Sequence, residues 1–544
     1  MTKKGPNESR KVPLWERILS ALSALFVWAF RLLMLVISQP KNTLGSILAY
    51  CVLFVIGLFI QTQANIFNET HLFMLYTTLF VFWCFIVWCI FTAEEYKPDG
   101  VHGSAKFASD KSMNSLTHKT DGLLIGKDQK GKQLLYYDGP GHLLTIAASR
   151  SGKGVGTIIP NLLQANRSVL CIDPKGENAK VASRARANFG KVYTLDPFGV
   201  LDTGTDSFNP LDAIDLCSDD YVEDVQSLAE ALVFDSSHYA DSDSHWNEEA
   251  KALLAGLVLY ILDTEPNYRK NLLTLREIIT LPSDEFLAVL AAMQACDDCN
   301  GLIARCANRF LGKNDKEASA VLSTLQRHTH FLDSPRMAKV LETSDFSFAD
   351  LKRNIQTIFL VIPPERISAF SRWLRLLVTQ SLAEMARETS KPEQPVLYLL
   401  DEFAALGRLE SVERAMGIMA GYHVQLWPIL QDIHQLKAHY GHMAGTFFSN
   451  AAVLQVFGIN DFDTAKLVSD LSGQETRSYS TRSHSVGSGH DSYSEQLAGR
   501  PLLTADEVRN LPQNEQLIFM TGFNPIRSKK IQYFSDQEFD GLHD

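Results

Sequence analysis

Thr145-Ile-Ala-Ala-Ser-Arg-Ser-Gly-Lys-Gly-Val-Gly-Thr157 is an apolar run that breaks into a turn of small residues around one lysine. Leu143 to Ala147 has the length and composition of a short buried strand, and the small residues after it let successive backbone N–H groups face a single anion. A helix beginning at such a turn aims its dipole and its unpaired N–H groups at the same place. Ser149, Arg150, Ser151, Gly152, Lys153, Gly154 and Val155 therefore read as a phosphate-binding loop, with the Lys153 ammonium on the outer phosphates. Against the strict pattern G-x-x-x-x-G-K-[ST], Ala147 stands at the first glycine and Gly154 where a magnesium-binding hydroxyl is expected. The competing reading is a glycine-rich turn with a solvated lysine.

A second stretch decides between them. Pro395-Val-Leu-Tyr-Leu-Leu-Asp-Glu402 is an apolar strand ending in two carboxylates, which suits Asp401 to holding Mg2+ and Glu402 to activating water. His423 to Leu430 is another apolar strand, and Gln431 at its tip is placed to sense a γ-phosphate or orient the attacking water. Together these predict a P-loop nucleoside triphosphatase that uses ATP and Mg2+, with Lys153, Asp401, Glu402 and Gln431 as its catalytic set.

Further strands are expected at Val169 to Ile172, Lys191 to Leu195, Ile355 to Ile362 and Val453 to Phe457. Pro160 should bend or shorten the helix after the loop. Asp173-Pro-Lys-Gly-Glu177 follows one of the strands, so Asp173 and Lys175 lie either at the nucleotide or the neighbouring subunit, or in a turn that needs them only for its geometry. Residues 215–345 lack strand signals and read as an all-helical domain inserted between two parts of the nucleotide-binding domain, 98–214 and 346–544. Arg477 to Gln496 is rich in Ser, Gly, Tyr and His without apolar periodicity and reads as a mobile loop. Its interleaved basic and aromatic residues, Arg477, Tyr479, Arg482, His484, His490 and Tyr493, suit stacking on single-stranded nucleic acid, or a solvated loop.

The first 97 residues differ in composition. Leu44 to Gln61 and Leu72 to Phe91 are uncharged runs of 18 and 20 residues, each long enough to cross a bilayer as a helix. The loop between them, Thr62 to His71, has no Lys or Arg, whereas Lys3, Lys4, Arg10, Lys11, Arg17, Arg31 and Lys41 precede the hairpin. The positive-inside rule then puts the N-terminus and everything after the second crossing in the cytoplasm. Ile18 to Ile37, interrupted by Arg31, reads as an interfacial helix on the inner leaflet, the alternative being a third crossing that would move the N-terminus outside.

With 46% hydrophobic residues in 544, the chain has ample material for folded cores and is not a disordered protein. Its net charge of −11 argues against a broad basic surface. Between Asp212 and Glu249 there are twelve acidic residues and no Lys or Arg, a field that serves either as a solvated helix face or as a dock for a basic partner. Cys296, Cys299 and Cys306, with His328 and His330 downstream, contain the ligand types of a zinc site, but a single Cys-x-x-Cys pair is weak support for one.

In order along the chain stand the membrane hairpin, Ser149-Arg-Ser-Gly-Lys-Gly-Val155, Asp173-Pro-Lys-Gly-Glu177, Phe208-Asn-Pro-Leu-Asp212, the helical segment, Asp401-Glu-Phe-Ala404, Gln431 with Gln435, Tyr440-Gly441 and Gly499-Arg-Pro-Leu-Leu-Thr-Ala-Asp-Glu-Val508. In this series the chain resembles a type IV secretion coupling protein of the TraG/TrwB class. The resemblance implies a RecA-like α/β P-loop motor with an inserted all-helical domain that recruits substrate, active as a homo-hexamer at the bacterial inner membrane. It implies as partners the type IV secretion channel and its other ATPases, together with effector proteins or relaxase-bound single-stranded DNA as cargo. Glycine after the P-loop lysine is usual in that family, which leaves Mg2+ mainly to Asp401 and water. Some DNA-pumping members supply an arginine to the neighbouring subunit from just before the segment matching Gly421-Tyr-His-Val424. Here Ala415 to Tyr422 has none, and Arg408 and Arg414 are the nearest substitutes.

Overall fold

β3 (His142–Ala147), the strand that feeds the lysine loop, is buried along its whole length and is the sixth strand of an eleven-stranded sheet. The computed structural model describes residues 100–544 except 119–120, 235–240 and 485–490. The membrane anchor expected in residues 1–97, with its interfacial helix at 18–37 and its crossings at 44–61 and 72–91, lies outside the described residues.

The other strands of the sheet are β1 (Leu123–Lys127), β2 (Leu134–Tyr137), β4 (Val169–Asp173), β5 (Lys191–Leu195), β6 (Gln356–Val361), β7 (Val396–Leu400), β8 (Val424–Leu430), β9 (Ala451–Phe457), β12 (Glu515–Met520) and β13 (Ile526–Lys529). The order is β2-β1-β13-β12-β9-β3-β8-β7-β4-β6-β5. From β9 to β5 every pairing is parallel, as expected for strands that are near-continuous apolar runs covered on both faces. β12, β13, β1 and β2 extend the β9 edge with antiparallel pairings.

Side chains alternate between two apolar clusters, as a period of two requires. Leu143, Val169, Cys171, Leu397 and Leu399 pack with Ile159, Leu162, Ala179 and Ala182 from the helices Ile159–Gln164 and Glu177–Ala187. Leu144, Ile146, Leu170, Ile172, Tyr398 and Leu400 belong to the other cluster. That cluster continues without a break through Leu228, Leu254, Leu257, Leu325 and Val340 of the helical segment. Among the described residues no strand occurs between β5 and β6, and the helices Tyr221–Leu232, Asp241–Thr264, Leu272–Ile279, Ser283–Gln294, Leu302–Leu311 and Asp315–Thr329 fill that interval.

The β3–β8 ladder is confined to Thr145↔Ile429 and Ile146↔Leu430, and Pro428 explains why. By strand alternation the amide of residue 428 points the same way as that of Leu426, and proline has none to give. Leu426 N donates instead to His142 Nδ1 at 3.0 Å. Burial holds that imidazole neutral, pushing it down to about 4, so it is free to accept.

A buried polar knot joins the centre of the sheet to its antiparallel extension. Gln455 of β9 accepts from Thr145 (2.9 Å) and Thr157 (3.1 Å), and donates to Gln516 (2.7 Å). Gln516 in turn donates to Ile125 O at 2.7 Å, and Trp427 Nε1 donates to Thr145 at 2.8 Å. Replacing Gln455 with Leu keeps the volume but strips partners from two hydroxyls and an amide. The expected cost is about 2–5 kcal/mol in urea or guanidinium unfolding of the nucleotide-free chain. A loss below about 0.5 kcal/mol would mean that the knot is dispensable.

One expectation is overturned. Of residues 477–496, read as a mobile loop, 477–484 and 491–496 lie in a two-stranded antiparallel ribbon, β10 (Gln474–His484) against β11 (Asp491–Pro501). The ribbon carries polar residues on both faces, so no apolar alternation announced it. Its Thr and Tyr residues nevertheless suit extended backbone.

Candidate functional site

The carboxyl ends of β3, β8 and β7, adjacent in the sheet, bring the lysine loop, Gln431 and the two carboxylates together. Ligand crevices of parallel sheets lie at such ends. After Ala147 the loop turns through Arg150 at φ 61° and Gly152 at φ 92°, closed by Ser151 N donating to Ala148 O (3.2 Å). Gly156 N donates to Gly152 O at 2.8 Å, so the amides of Lys153, Gly154 and Val155 precede the first closed turn and are left unpaired by helix geometry. Gly154–Ile158 forms one π-helical turn before the α-helix Ile159–Gln164. The helical turns run without a break from Lys153 through that π turn into Ile159–Gln164, so Pro160 lies inside the helix with no N–H to give, and the π turn just before it is the local irregularity that a proline there brings.

Lys153 reaches across to the opposite wall. Its ammonium makes a short contact with Glu402 Oε1 and lies 3.3 Å from Asp401 Oδ1. Gln431 Nε2 donates to Glu402 Oε2 at 2.9 Å, Ser149 Oγ donates to Gln431 Oε1 at 3.0 Å, and Gln435 Oε1 fixes the Gln431 amide N–H at 3.0 Å. A hydrogen-bonded chain thus runs Ser149, Gln431, Glu402, Lys153. Glu402 holds a left-handed backbone at φ 51°, a conformation that costs a non-glycine residue about 1–2 kcal/mol and persists only where the surroundings impose it. Behind it Phe403, Tyr440 and Phe447 pack ring on ring, and Tyr440 Oη accepts from Leu409 N at 3.0 Å. This gives the Tyr440-Gly441 pair a structural role, as backing for the carboxylate loop.

Burial separates the two carboxylates electrostatically. Asp401 is raised, first by burial and then by its Glu402 neighbour, although Lys153 opposes the rise. Glu402 also loses water, yet the Lys153 hydrogen bond and charge, helped by Gln431, hold it below the usual glutamate range. Asp173 is raised to about 7 by burial and then by the charge on Asp401, while its Oδ2 accepts from Ala179 N at 2.8 Å. Asp173 therefore caps a helix and also acts on the site. Beside Glu402 and Gln431 opens a cleft of about 640 Å³ walled by Lys175, Arg372, Arg375 and His439.

The donor set fits a nucleoside triphosphate with a divalent cation. The loop offers unpaired amides and one ammonium to an anion, and Asp401 is a largely desolvated carboxylate on the facing wall. A Cβ at Gly154 would meet nothing within 4 Å, so the position of the missing hydroxyl is open space and, among these side chains, a cation would rest on Asp401. Of the two substitute arginines, Arg408 is engaged with Glu410 (3.6 Å) and Glu413 (3.5 Å), whereas Arg414 is exposed.

The five-residue zinc set is not assembled. Near the cysteines, the ligand-capable side chains that converge among the described residues are Asp263, Cys296 and Asp298. His328 is buried against Asn247 Oδ1 (3.1 Å), and Cys306 packs on Gly256, where a Cβ would clash. Burial raises all three thiols, against formation of a metal-binding thiolate. The acidic run is likewise less uniform than its sequence: Asp224 pairs with Arg387, and Glu249 pairs with Arg309 (2.7 Å) and Lys313 (2.8 Å), which draw it down to about 2. Asp219, Asp220 and Glu223 remain exposed.

Lys530, which the sequence did not single out, also reaches the loop, donating to Ser151 O at 2.6 Å. No motif marks it, because it arrives from β13, far along the chain.

Residues 103–542 match the pattern of the type IV secretory system conjugative DNA transfer family. The chain is similar to a conjugal transfer protein TraG of Escherichia coli, at 29% identity over 505 residues, covering 82% of this chain and 78% of that one. It is similar to VirD4 of Agrobacterium fabrum at 28% identity, covering 80% of this chain and 66% of the relative. Among solved structures, the plasmid coupling protein TrwB in complex with the non-hydrolysable ATP analogue ADPNP matches with a TM-score of 0.59 and 18% identity, over 79% of this chain and 93% of that one. TrwB in complex with ADP and Mg2+ matches with a TM-score of 0.58 at 18% identity, over 79% and 94%. These likenesses fit the α/β RecA-like fold.

Proposed function

The chain belongs to the type IV secretory system conjugative DNA transfer family, and from that premise we propose that it is a coupling ATPase: it recruits cargo and uses ATP hydrolysis to deliver it into a type IV secretion channel. The observation that carries the catalytic half is the contact of Lys153 with both Asp401 and Glu402 at the mouth of three adjacent parallel strands. Lys153 leaves the carboxylates for the triphosphate. Glu402, released from that pair and still held by Gln431, takes a proton from the attacking water while Gln431 orients it. Mg2+ held through Asp401 would supply charge neutralisation at the phosphates. Arg414, exposed on the helix Glu410–Ile418 that follows the carboxylate loop in the chain, is our choice for the arginine offered to a neighbouring subunit in a ring of six. The first 97 residues anchor the protein to the bacterial inner membrane, with the ATPase on the cytoplasmic side.

The exposed acids Asp219, Asp220 and Glu223 favour cargo that presents basic peptide signals, including effector proteins and relaxases that carry single-stranded DNA. The test is ATP hydrolysis by the full chain in lipid vesicles, with and without a basic peptide. Expected are Mg2+-dependent turnover, a rise on adding peptide that fades with salt, and loss of that rise on changing the three acids to lysine. Asp224 is left out of the substitution because it holds Arg387. A chain that binds ATP and never hydrolyses it would overturn the ATPase reading, and a rise unaffected by charge reversal would make the acids a solvated face.

A further inference from the structure

Lys530 approaches the phosphate-binding loop on the side of the Ser151 carbonyl. Its ammonium donates to Ser151 O at 2.6 Å and stands over the Phe457 ring, 4.9 Å from the centroid. Its main chain is fixed by a bond from its N–H to Asn514 O (2.9 Å), so the β12–β13 hairpin sets where the side chain starts. The fit to the loop is close. A Cβ on Gly156 would lie 3.0 Å from Ile531 O and 3.8 Å from Lys530 Cβ, and a Cβ on Gly152 would lie 3.8 Å from the Lys530 ammonium. On the other side, a Cβ on Gly458 would clash with Ser151 Cβ, so the loop is clasped between the end of β9 and the strand exit at Lys530. Burial lowers the Lys530 pKa, and no acidic neighbour contributes to raise it.

We propose that Lys530 is a second cation of the nucleotide site, a positioning residue that strengthens polyphosphate binding through the Ser151–Gly152 peptide bond. Ser151 C=O and Gly152 N–H belong to one trans peptide plane and point in opposite directions. An ammonium on the carbonyl polarises that unit and makes the N–H on the far side a better donor to an anion. The same bond fixes the carbonyl outward, and so the N–H inward. Lys153 meets the phosphates directly, while Lys530 acts through the loop that holds them. This inference rests on the nucleotide reading of the site.

The experiment compares the full chain with Lys530→Met, Lys530→Arg and Lys153→Ala, reading affinity for a fluorescent ADP and urea stability without nucleotide. Lys530→Met keeps the stem and loses the charge. Expected are a roughly tenfold loss of affinity with an unchanged unfolding midpoint, and recovery to within about threefold of the parent in Lys530→Arg. The proposal is overturned if Lys530→Met binds like the parent, if its affinity falls only in step with its stability, or if Lys530→Arg is no better than Met. If the parent itself binds no more ADP than Lys153→Ala, the nucleotide reading fails and this inference with it.

Discussion

Lys153→Ala should reduce ATP affinity by a factor of about 100 to 1,000, while the chain remains folded. The Lys153 side chain is 14% exposed and carries the ammonium that the loop offers directly to an anion, so its loss removes charge-assisted bonds at a largely desolvated place. A second effect has the same sign. Asp401 and Glu402 now share Lys153; without it two negative carboxylates face an incoming triphosphate with no cation between them. Calorimetric titration of ATP against the full chain checks this. Lys153→Arg, which keeps the charge, is expected to lose less, and an alanine variant that binds within threefold of the parent would remove the lysine from the site.

Glu402→Gln should behave in the opposite way, retaining nucleotide and losing turnover by about 100- to 10,000-fold. Glutamine preserves the shape and can still meet Gln431 and Lys153, but it cannot take a proton. Binding should be unchanged or tighter, because the substitution removes a negative charge beside the phosphates and weakens the hold on Lys153, which must otherwise leave a charged partner. Single-turnover hydrolysis alongside nucleotide titration separates the two effects. Equal losses in both would mean that Glu402 serves the architecture of the loop, a role its φ of 51° makes worth checking.

The parts of the fold and site that could be read directly were those written in contiguous residues. The parallel strands are apolar runs because both faces are covered, so Leu143 to Ala147, Val169 to Ile172 and Pro395 to Leu400 identified themselves; Asp401, Glu402 and Gln431 stood at strand ends. What escaped depends on partners distant in sequence. Asp224 reads as one more acid in a run until Arg387 meets it, and Glu249 until Arg309 and Lys313 do. Lys530 is an ordinary lysine just after a strand until the β12–β13 hairpin carries it to Ser151. The antiparallel extension has the same cause, since β1 and β2 come from one end of the described chain and β12 and β13 from the other. The ribbon at 474–501 was missed for a different reason. Strand periodicity shows only when one face is apolar, and here neither is.

The central claim is that hydrolysis at Glu402, and not nucleotide occupancy alone, drives delivery of cargo. A receptor that used ATP only to hold its ring together would need Lys153 and could do without the base. The most direct measurement is cargo delivery in cells that produce the Glu402→Gln chain in place of the parent, at matched abundance and with nucleotide binding verified. Delivery at or below a hundredth of the parent level is predicted, in line with the lost turnover. Delivery at the parent level by a chain that binds ATP and does not hydrolyse it would contradict the account and leave the protein a scaffold.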